Sequence, residues 1–325
     1  MSASNIDLNY YQAPQKDVWI GRTDSDTDSD QFRYHQVAKP VHLDRISESK
    51  EVALLGFTSD QGVVRNKGRI GASKGPDSFR SAIGSLCWHG EQSGFIDVGN
   101  ILPKSGNLEV AQAELGKGVA HLLRNSKKSF VIGGGHETAF GHYLGIADYL
   151  SSSKPDAKLG ILNIDAHFDL RPYDGTPHSG SPFLQAHEHA QKENMDLRYF
   201  VYGLNRHNNT ASLFKTVESL GVQWIENQEV MSEEEASLEK VAAFIEERDY
   251  IYLTVCLDVF NAAIAPGVSA PAWNGIFAEH AIKVIELVKN SGKLLSMDVC
   301  ELNPEFDQDN RTAKLAGTLF AEFLD

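Results

Sequence analysis

Asp165, His167 and Asp169 stand at alternate positions in Asp165-Ala166-His167-Phe168-Asp169, and about 90 residues later Thr254-Val255-Cys256-Leu257-Asp258 repeats the spacing with a thiol and a carboxylate. Alternate side chains of an extended segment point the same way, so a strand running into a loop would present the first three donors together. Carboxylates and imidazoles without a thiolate majority suit a hard to borderline cation such as Mn²⁺. Carboxylates at a strand end must be paired, metallated or solvated to avoid a desolvation cost. The competing reading is a solvated turn in which Asp165 caps a helix and His167 is incidental. Cys256 also has two readings: a thiolate that coordinates or bridges cations, or a neutral thiol buried as a small hydrophobe.

Gly133-Gly134-Gly135-His136-Glu137 comes straight after an apolar run. Its glycines would let the backbone turn sharply and aim His136 into a cleft. A glycine-rich strand-to-helix turn also suits phosphate, but the run lacks the Lys-Ser/Thr ending of a P-loop, which argues against nucleotides. Residues 62–75 (GVVRNKGRIGASKG) set Arg65, Lys67, Arg69 and Lys74 among glycines. In an acidic chain such a loop reads either as a clamp for substrate carboxylates through guanidinium pairing or as a solvated loop with scattered ion pairs. Arg171 and Arg206, each following a predicted strand, are candidates of the same kind. Residues 265–271 (APGVSAP) are too turn-rich for a helix and should shape a loop at the rim.

The elements that must position these groups follow from hydrophobic periodicity. The 325 residues carry 42% hydrophobic side chains, enough for a packed core. β-rich runs at Val52–Phe57, Gly94–Val98, Ser129–Ile132, Lys158–Asn163, Arg198–Tyr202, Val222–Ile225, Tyr250–Cys256 and Lys293–Met297 read as strands. Helical spacing recurs at Asp77–Cys87, Leu108–Arg124, Ala139–Leu150, Thr210–Leu220, Glu233–Glu247, Ala278–Asn290 and Arg311–Leu324. Strands separated by helices imply right-handed crossovers. The expected fold is α/β, a three-layer α/β/α sandwich around a mainly parallel sheet of about eight strands. It forms a single domain over 1–325 with 1–50 as an irregular extension, in which residues 23–30 (TDSDTDSD) make an acidic surface loop. In such sheets ligands bind beyond the carboxyl ends of the strands, where His136, Asp165 to Asp169, Cys256, Asp258 and Glu301 fall.

The formal charge of -14 opposes binding to nucleic acid or anionic membranes and favours a small-molecule substrate. No run approaches the roughly 18 apolar residues that span a bilayer, and the polar N-terminus lacks the order of a signal peptide, so a cytoplasmic protein is expected. Cys87, Cys256 and Cys300 do not form a secreted disulfide framework, and reduced thiols are expected.

Together these segments resemble the ureohydrolase superfamily of arginase and agmatinase relatives, and most closely its formimidoylglutamase branch. The resemblance rests on three ordered blocks, Gly133–His136, Asp165–Asp169 and Thr254–Asp258. It extends through Trp19–Arg22 with Asp24, Arg33–Val37, Gly62–Arg80, Ser179–Phe183 and Ala265–Pro271. It implies an arginase-like fold, two Mn²⁺ per subunit and a closed homo-oligomer, commonly a trimer or hexamer. One ion would be held by His136, Asp165, Asp169 and the Cys256 position, the other by Asp165, His167, the Cys256 position and Asp258. Glu301 matches the carboxylate that binds the substrate's amidine-like group. Ser179 stands where arginase and agmatinase have histidine, and His178 lies one place early. Cys256 departs from the usual bridging Asp, and Cys300 beside Glu301 is a candidate disulfide partner for it. The implied reaction is hydrolysis of N-formimidoyl-L-glutamate to L-glutamate and formamide in histidine degradation, with Asp169 as proton acceptor. Arg65, Arg69, Arg171, Ser179 and Arg206 would bind the substrate. The alternatives are another ureohydrolase of agmatinase or guanidinobutyrase type, or a metal-poor non-catalytic relative.

Overall fold

The computed structural model describes residues 6–49, 51–90 and 94–324; residues 1–5, 50, 91–93 and 325 of the expected single domain, the first six of them in its N-terminal extension, lie outside the described residues. The strands are β1 (Tyr11–Gln12), β2 (Ala38–Pro40), β3 (Val52–Phe57), β4 (Phe95–Ile101), β5 (Lys128–Ile132), β6 (Leu159–Ile164), β7 (Leu197–Leu204), β8 (Gln223–Glu226), β9 (Tyr250–Cys256) and β10 (Leu294–Cys300). The helices are α1 (Tyr34–Val37), α2 (Gln61–Arg65), α3 (Gly75–Ile83), α4 (Leu108–Asn125), α5 (Thr138–Ser153), α6 (Pro182–Lys192), α7 (Ala211–Leu220), α8 (Asn227–Ser232), α9 (Glu234–Glu246), α10 (Ala278–Asn290) and α11 (Arg311–Leu324).

All ten strands share one sheet in the order β1-β4-β3-β5-β10-β9-β6-β7-β8, with β2 also paired to β4. Among the described strands only the β1–β4 pairing is antiparallel. The central strands are buried on both faces, as parallel sheets under crossover helices must be. Alternation sorts their side chains between two cores: Phe130 and Ile132 of β5 pack toward α3, α10 and α11, while Val131 packs toward α4 and α5. The expected three layers are therefore present.

The sheet holds ten strands where about eight were expected, because the segment expected to be irregular supplies β1 and β2. Two and three residues long, they are too short to show a periodicity. Trp19 ties the same segment to the sheet: its Nε1 donates to Asp97 Oδ2 at 2.8 Å. The same carboxylate accepts from Arg80 Nε at 2.9 Å and Nη2 at 2.8 Å, all within the core. Deleting one partner of such a buried pair leaves an uncompensated charge and costs about 3–5 kcal/mol. The helix predicted to reach Cys87 stops at Ile83, where a Cβ on Gly84 would lie 2.1 Å from the Ile20 carbonyl oxygen. Helix α6 is absent from the sequence reading because Gln185, His187, Glu188, His189 and Gln191 dilute its apolar stripe. Among the described residues no helix is long and apolar enough to cross a membrane.

Candidate metal centre

Strands β5, β10, β9 and β6 are neighbours, and their parallel sense brings four carboxyl ends to one side of the sheet centre. After β5 the chain turns through Gly133–Gly135 into α5. Gly134 N donates to Phe57 O at 2.8 Å, and a Cβ there would sit 1.7 Å from the Ser59 carbonyl oxygen, so only glycine fits. That turn delivers His136. Beyond β6, Asp165 accepts from the His167 backbone N–H at 2.8 Å, which curls the loop over the carboxylate. Cys256 ends β9, and a single 3₁₀ turn, Leu257–Val259, carries Asp258. Glu301 follows β10. Asp169 (φ 47°) and Glu301 (φ 72°) both adopt the left-handed backbone region that side-chain-bearing residues seldom occupy, a strain that recurs at functional sites.

His136 Nδ1 lies 2.9 Å from Asp169 Oδ2 and 3.1 Å from Asp165 Oδ2. His167 Nδ1 lies 3.4 Å from Asp165 Oδ1 and 3.3 Å from Asp258 Oδ2. Among the described residues three donor groups have ligand atoms within 4.8 Å of one another; besides His136 with Asp298 and Cys300, two lie at the strand ends, His136, Asp165 and Cys256 in one, Asp165, His167 and Asp258 in the other. Asp165 belongs to both. Burial alone would lower both imidazoles, but the neighbouring carboxylates hold them well above their ordinary range. Burial, with Asp165, Asp258, Glu301 and Asp169 around it, pushes the Cys256 thiol up. Asp258 is also raised, chiefly by burial. Burial, Asp258 and Glu137 push the Glu301 carboxyl up to about 8. Asp258 Oδ1 and Glu301 Oε2 are buried without a hydrogen-bond partner. Four carboxylates and a thiol crowd a space in which the two imidazoles are the nearest cationic groups among the described residues, and these oxygens and imidazole nitrogens suit divalent cations at the two groups that share Asp165.

Cys256 and Cys300 occupy paired register positions on β9 and β10, yet both are free thiols, so the candidate disulfide between them is not formed. Cys300 Sγ instead donates to Asp298 Oδ1 at 3.4 Å.

Above the donors opens a cavity of about 320 Å³, lined by His136, His167, Asp169, Cys256, Asp258 and Glu301 at the floor and by Lys67, Arg69, Arg171 and Ser179 higher up. Ser269 and Ala270 of the expected rim loop border it. Arg69 donates to the Ser269 and Val268 carbonyls and lies 4.0 Å over the Phe306 ring. Among the described residues Lys67, Arg69 and Arg171 have no carboxylate partner. Ser179 Oγ accepts from Asn66 Nδ2 at 3.1 Å. Two predicted substrate cations lie elsewhere. Arg65 is outside the lining, its guanidinium forked onto Glu109 at 2.6 and 3.2 Å. Arg206 pairs with Glu226 and stacks over Phe214. His178 is not part of the lining either; its Nδ1 accepts from Gly180 N.

Lys67 was present in the sequence only as one of four basic residues in a loop. Glu137 was legible only as the neighbour of His136, although it latches that loop. Its Oε1 accepts from Gly62 N at 2.8 Å and from Ser59 Oγ at 3.0 Å.

The family is decided by comparison with known proteins. A family model described as "Arginase family" matches residues 50–325. The chain belongs to the arginase family. This arginase-family chain is 42% identical over 318 residues to the formimidoylglutamase of Geobacillus thermodenitrificans (strain NG80-2), covering 97% of each. It is 44% identical over 299 residues to that of Rhodococcus opacus (strain B4), covering 92% of each. The crystal structure of Trypanosoma cruzi formiminoglutamase with Mn²⁺₂ superposes with a TM-score of 0.76 at 27% identity, covering 90% of this chain and 97% of that one.

Proposed function

We propose that this arginase-family chain hydrolyses N-formimidoyl-L-glutamate to L-glutamate and formamide, using two Mn²⁺ per subunit, in cytoplasmic histidine degradation. One observation carries this reading: two donor groups sharing Asp165 open into a single cavity with Glu301, beneath cations that no carboxylate neutralises. His136, Asp165, Asp169 and Cys256 would hold one ion, and Asp165, His167, Cys256 and Asp258 the other. When bound, such a pair lowers the pKa of a shared water and so supplies a nucleophile near neutral pH.

The chain's own residues do the rest. Glu301 Oε1 accepts from His136 N at 2.9 Å, which fixes the carboxylate and leaves Oε2 to take the cationic formimino group by a charge-assisted bond. A buried, otherwise unpaired carboxylate gains most from such a partner. Lys67, Arg69 and Arg171 face the substrate's two carboxylates, a need that agmatine lacks. Asp169 takes the proton released as water adds to the formimino carbon. It passes that proton to the glutamate nitrogen as the C–N bond breaks, giving formamide and the amine. Ser179, held by Asn66, completes the wall.

The test is formamide release from N-formimidoyl-L-glutamate, compared with urea release from arginine and agmatine, in Mn²⁺-loaded protein. Formamide release at least a hundredfold above either urea activity is expected. Urea release that equals or exceeds it would overturn the assignment.

A further inference from the structure

Beneath the cavity floor, on the sheet face that packs against α5, polar residues alternate along the central strands: Ser296 and Asp298 on β10, Tyr252 and Thr254 on β9. Parallel register sets Asp298 beside Thr254. His142, from α5, closes the group. Its Nδ1 lies 2.7 Å from Asp298 Oδ2 and its Nε2 2.7 Å from Ser296 Oγ. Tyr252 Oη donates to Asp298 Oδ2. Thr254 Oγ1 donates to Asp298 Oδ1 at 2.6 Å. All five side chains are fully buried, so none of these polar atoms can turn to water instead. The family reaction as derived above uses none of them.

Among the described residues one hydrogen bond joins this network to His136, whose Nε2 lies 3.1 Å from Thr254 Oγ1. A hydroxyl has one proton. Asp298 meets donors on both oxygens, Thr254 and Cys300 on Oδ1, His142 and Tyr252 on Oδ2, so it acts as acceptor and holds the threonine proton. Thr254 Oγ1 can then only accept from His136, which fixes a proton on Nε2. Nδ1, the nitrogen that faces Asp165 and Asp169, is then the one whose proton a cation displaces, so its lone pair becomes available on the ligand side. Had the hydroxyl pointed the other way, Nδ1 would have to keep its proton, turned toward the place of the cation.

We propose that Thr254, oriented by Asp298, is a positioning residue that sets the tautomer and ring angle of His136 so that Nδ1 stands ready to ligate. The inference rests on the metal reading but not on the substrate. A hydrogen-bonded outer partner of a ligating histidine is worth 10–100-fold in metal affinity.

The experiment is Mn²⁺ titration of the whole protein, with free Mn²⁺ read from its electron paramagnetic resonance signal. Thr254→Val keeps the shape and removes the acceptor; Thr254→Ser keeps the acceptor and removes the methyl. The dissociation constant of one of the two ions, the one His136 would hold, should rise about 10–100-fold in Thr254→Val and Thr254→Ala and stay close to wild type in Thr254→Ser. A packing role predicts the reverse, with serine worse than valine. Wild-type affinity in Thr254→Val, or a serine variant as weak as valine, would overturn the proposal. So would failure of both Thr254→Val and Thr254→Ala to fold, which would make the bond one of stability. If wild-type protein takes up no Mn²⁺, the metal reading itself fails, and that result is distinct from all of these.

Discussion

At the floor of the cavity the donors hang from the ends of four adjacent strands; at its rim the cations sit on loops 62–75 and 171–180. The floor is buried, and each position is fixed by strand register and by bonds to neighbouring backbone. The rim is half-exposed, and which of its cations face inward depends on single bonds to carbonyls or carboxylates. Arg65 and Lys67 are two residues apart, yet one is forked onto Glu109 and the other lines the cavity. Floor geometry therefore follows from the fold. Rim geometry follows from local competition for partners.

The largest expected loss tests the floor. Asp165→Ala removes the one carboxylate common to both donor groups, so metal content and formamide release should both fall to background; metal analysis and the activity assay read this together. Glu301→Gln should leave Mn²⁺ content unchanged and lower kcat/KM by about 10²-fold, since it exchanges a charge-assisted bond for a neutral one. Equal kcat/KM would remove Glu301 from substrate binding. At the rim, Lys67→Met and Arg171→Met should each raise KM by about 10–100-fold with kcat little changed, the size of one lost bond to a charged group. A smaller effect is expected at the odd donor. Cys256→Ser should weaken Mn²⁺ retention several-fold while Cys256→Asp stays active, and unchanged stoichiometry in the serine variant would demote the thiol to packing. The smallest effect belongs to Arg65→Ala and Arg206→Ala, whose KM should match wild type; a rise like that of Arg171→Met would place them in the cavity after all.

The contrast explains what could be read from residues alone. Strand β9 was predicted at its observed limits, and the site-bearing ends of β5, β6 and β10 within a few residues, because buried parallel strands declare themselves as apolar runs. With the strands placed, alternation put Asp165, His167 and Asp169 together and Cys256 with Asp258. Thr254 and Asp298 were visible as polar interruptions at alternate positions, but which way a hydroxyl donates depends on cross-strand neighbours. Arg65 and Arg206 were misplaced for a different reason. A basic residue after a strand carries no mark of the carboxylate that will capture it, and Glu109 lies 44 residues away in sequence. The short edge strands β1 and β2 and the polar helix α6 escaped because each is stabilised by what it packs against more than by its own pattern.

His136 and Glu137 are consecutive, and they face opposite duties: one gives a nitrogen to the cation pocket, the next latches the loop that carries Lys67 and Arg69. One peptide unit thus keeps the hydrolytic machinery and the selectivity filter in mutual alignment. Substrate preference can drift through side-chain exchange along that loop while its hinge pin, and the chemistry beside it, stay in place.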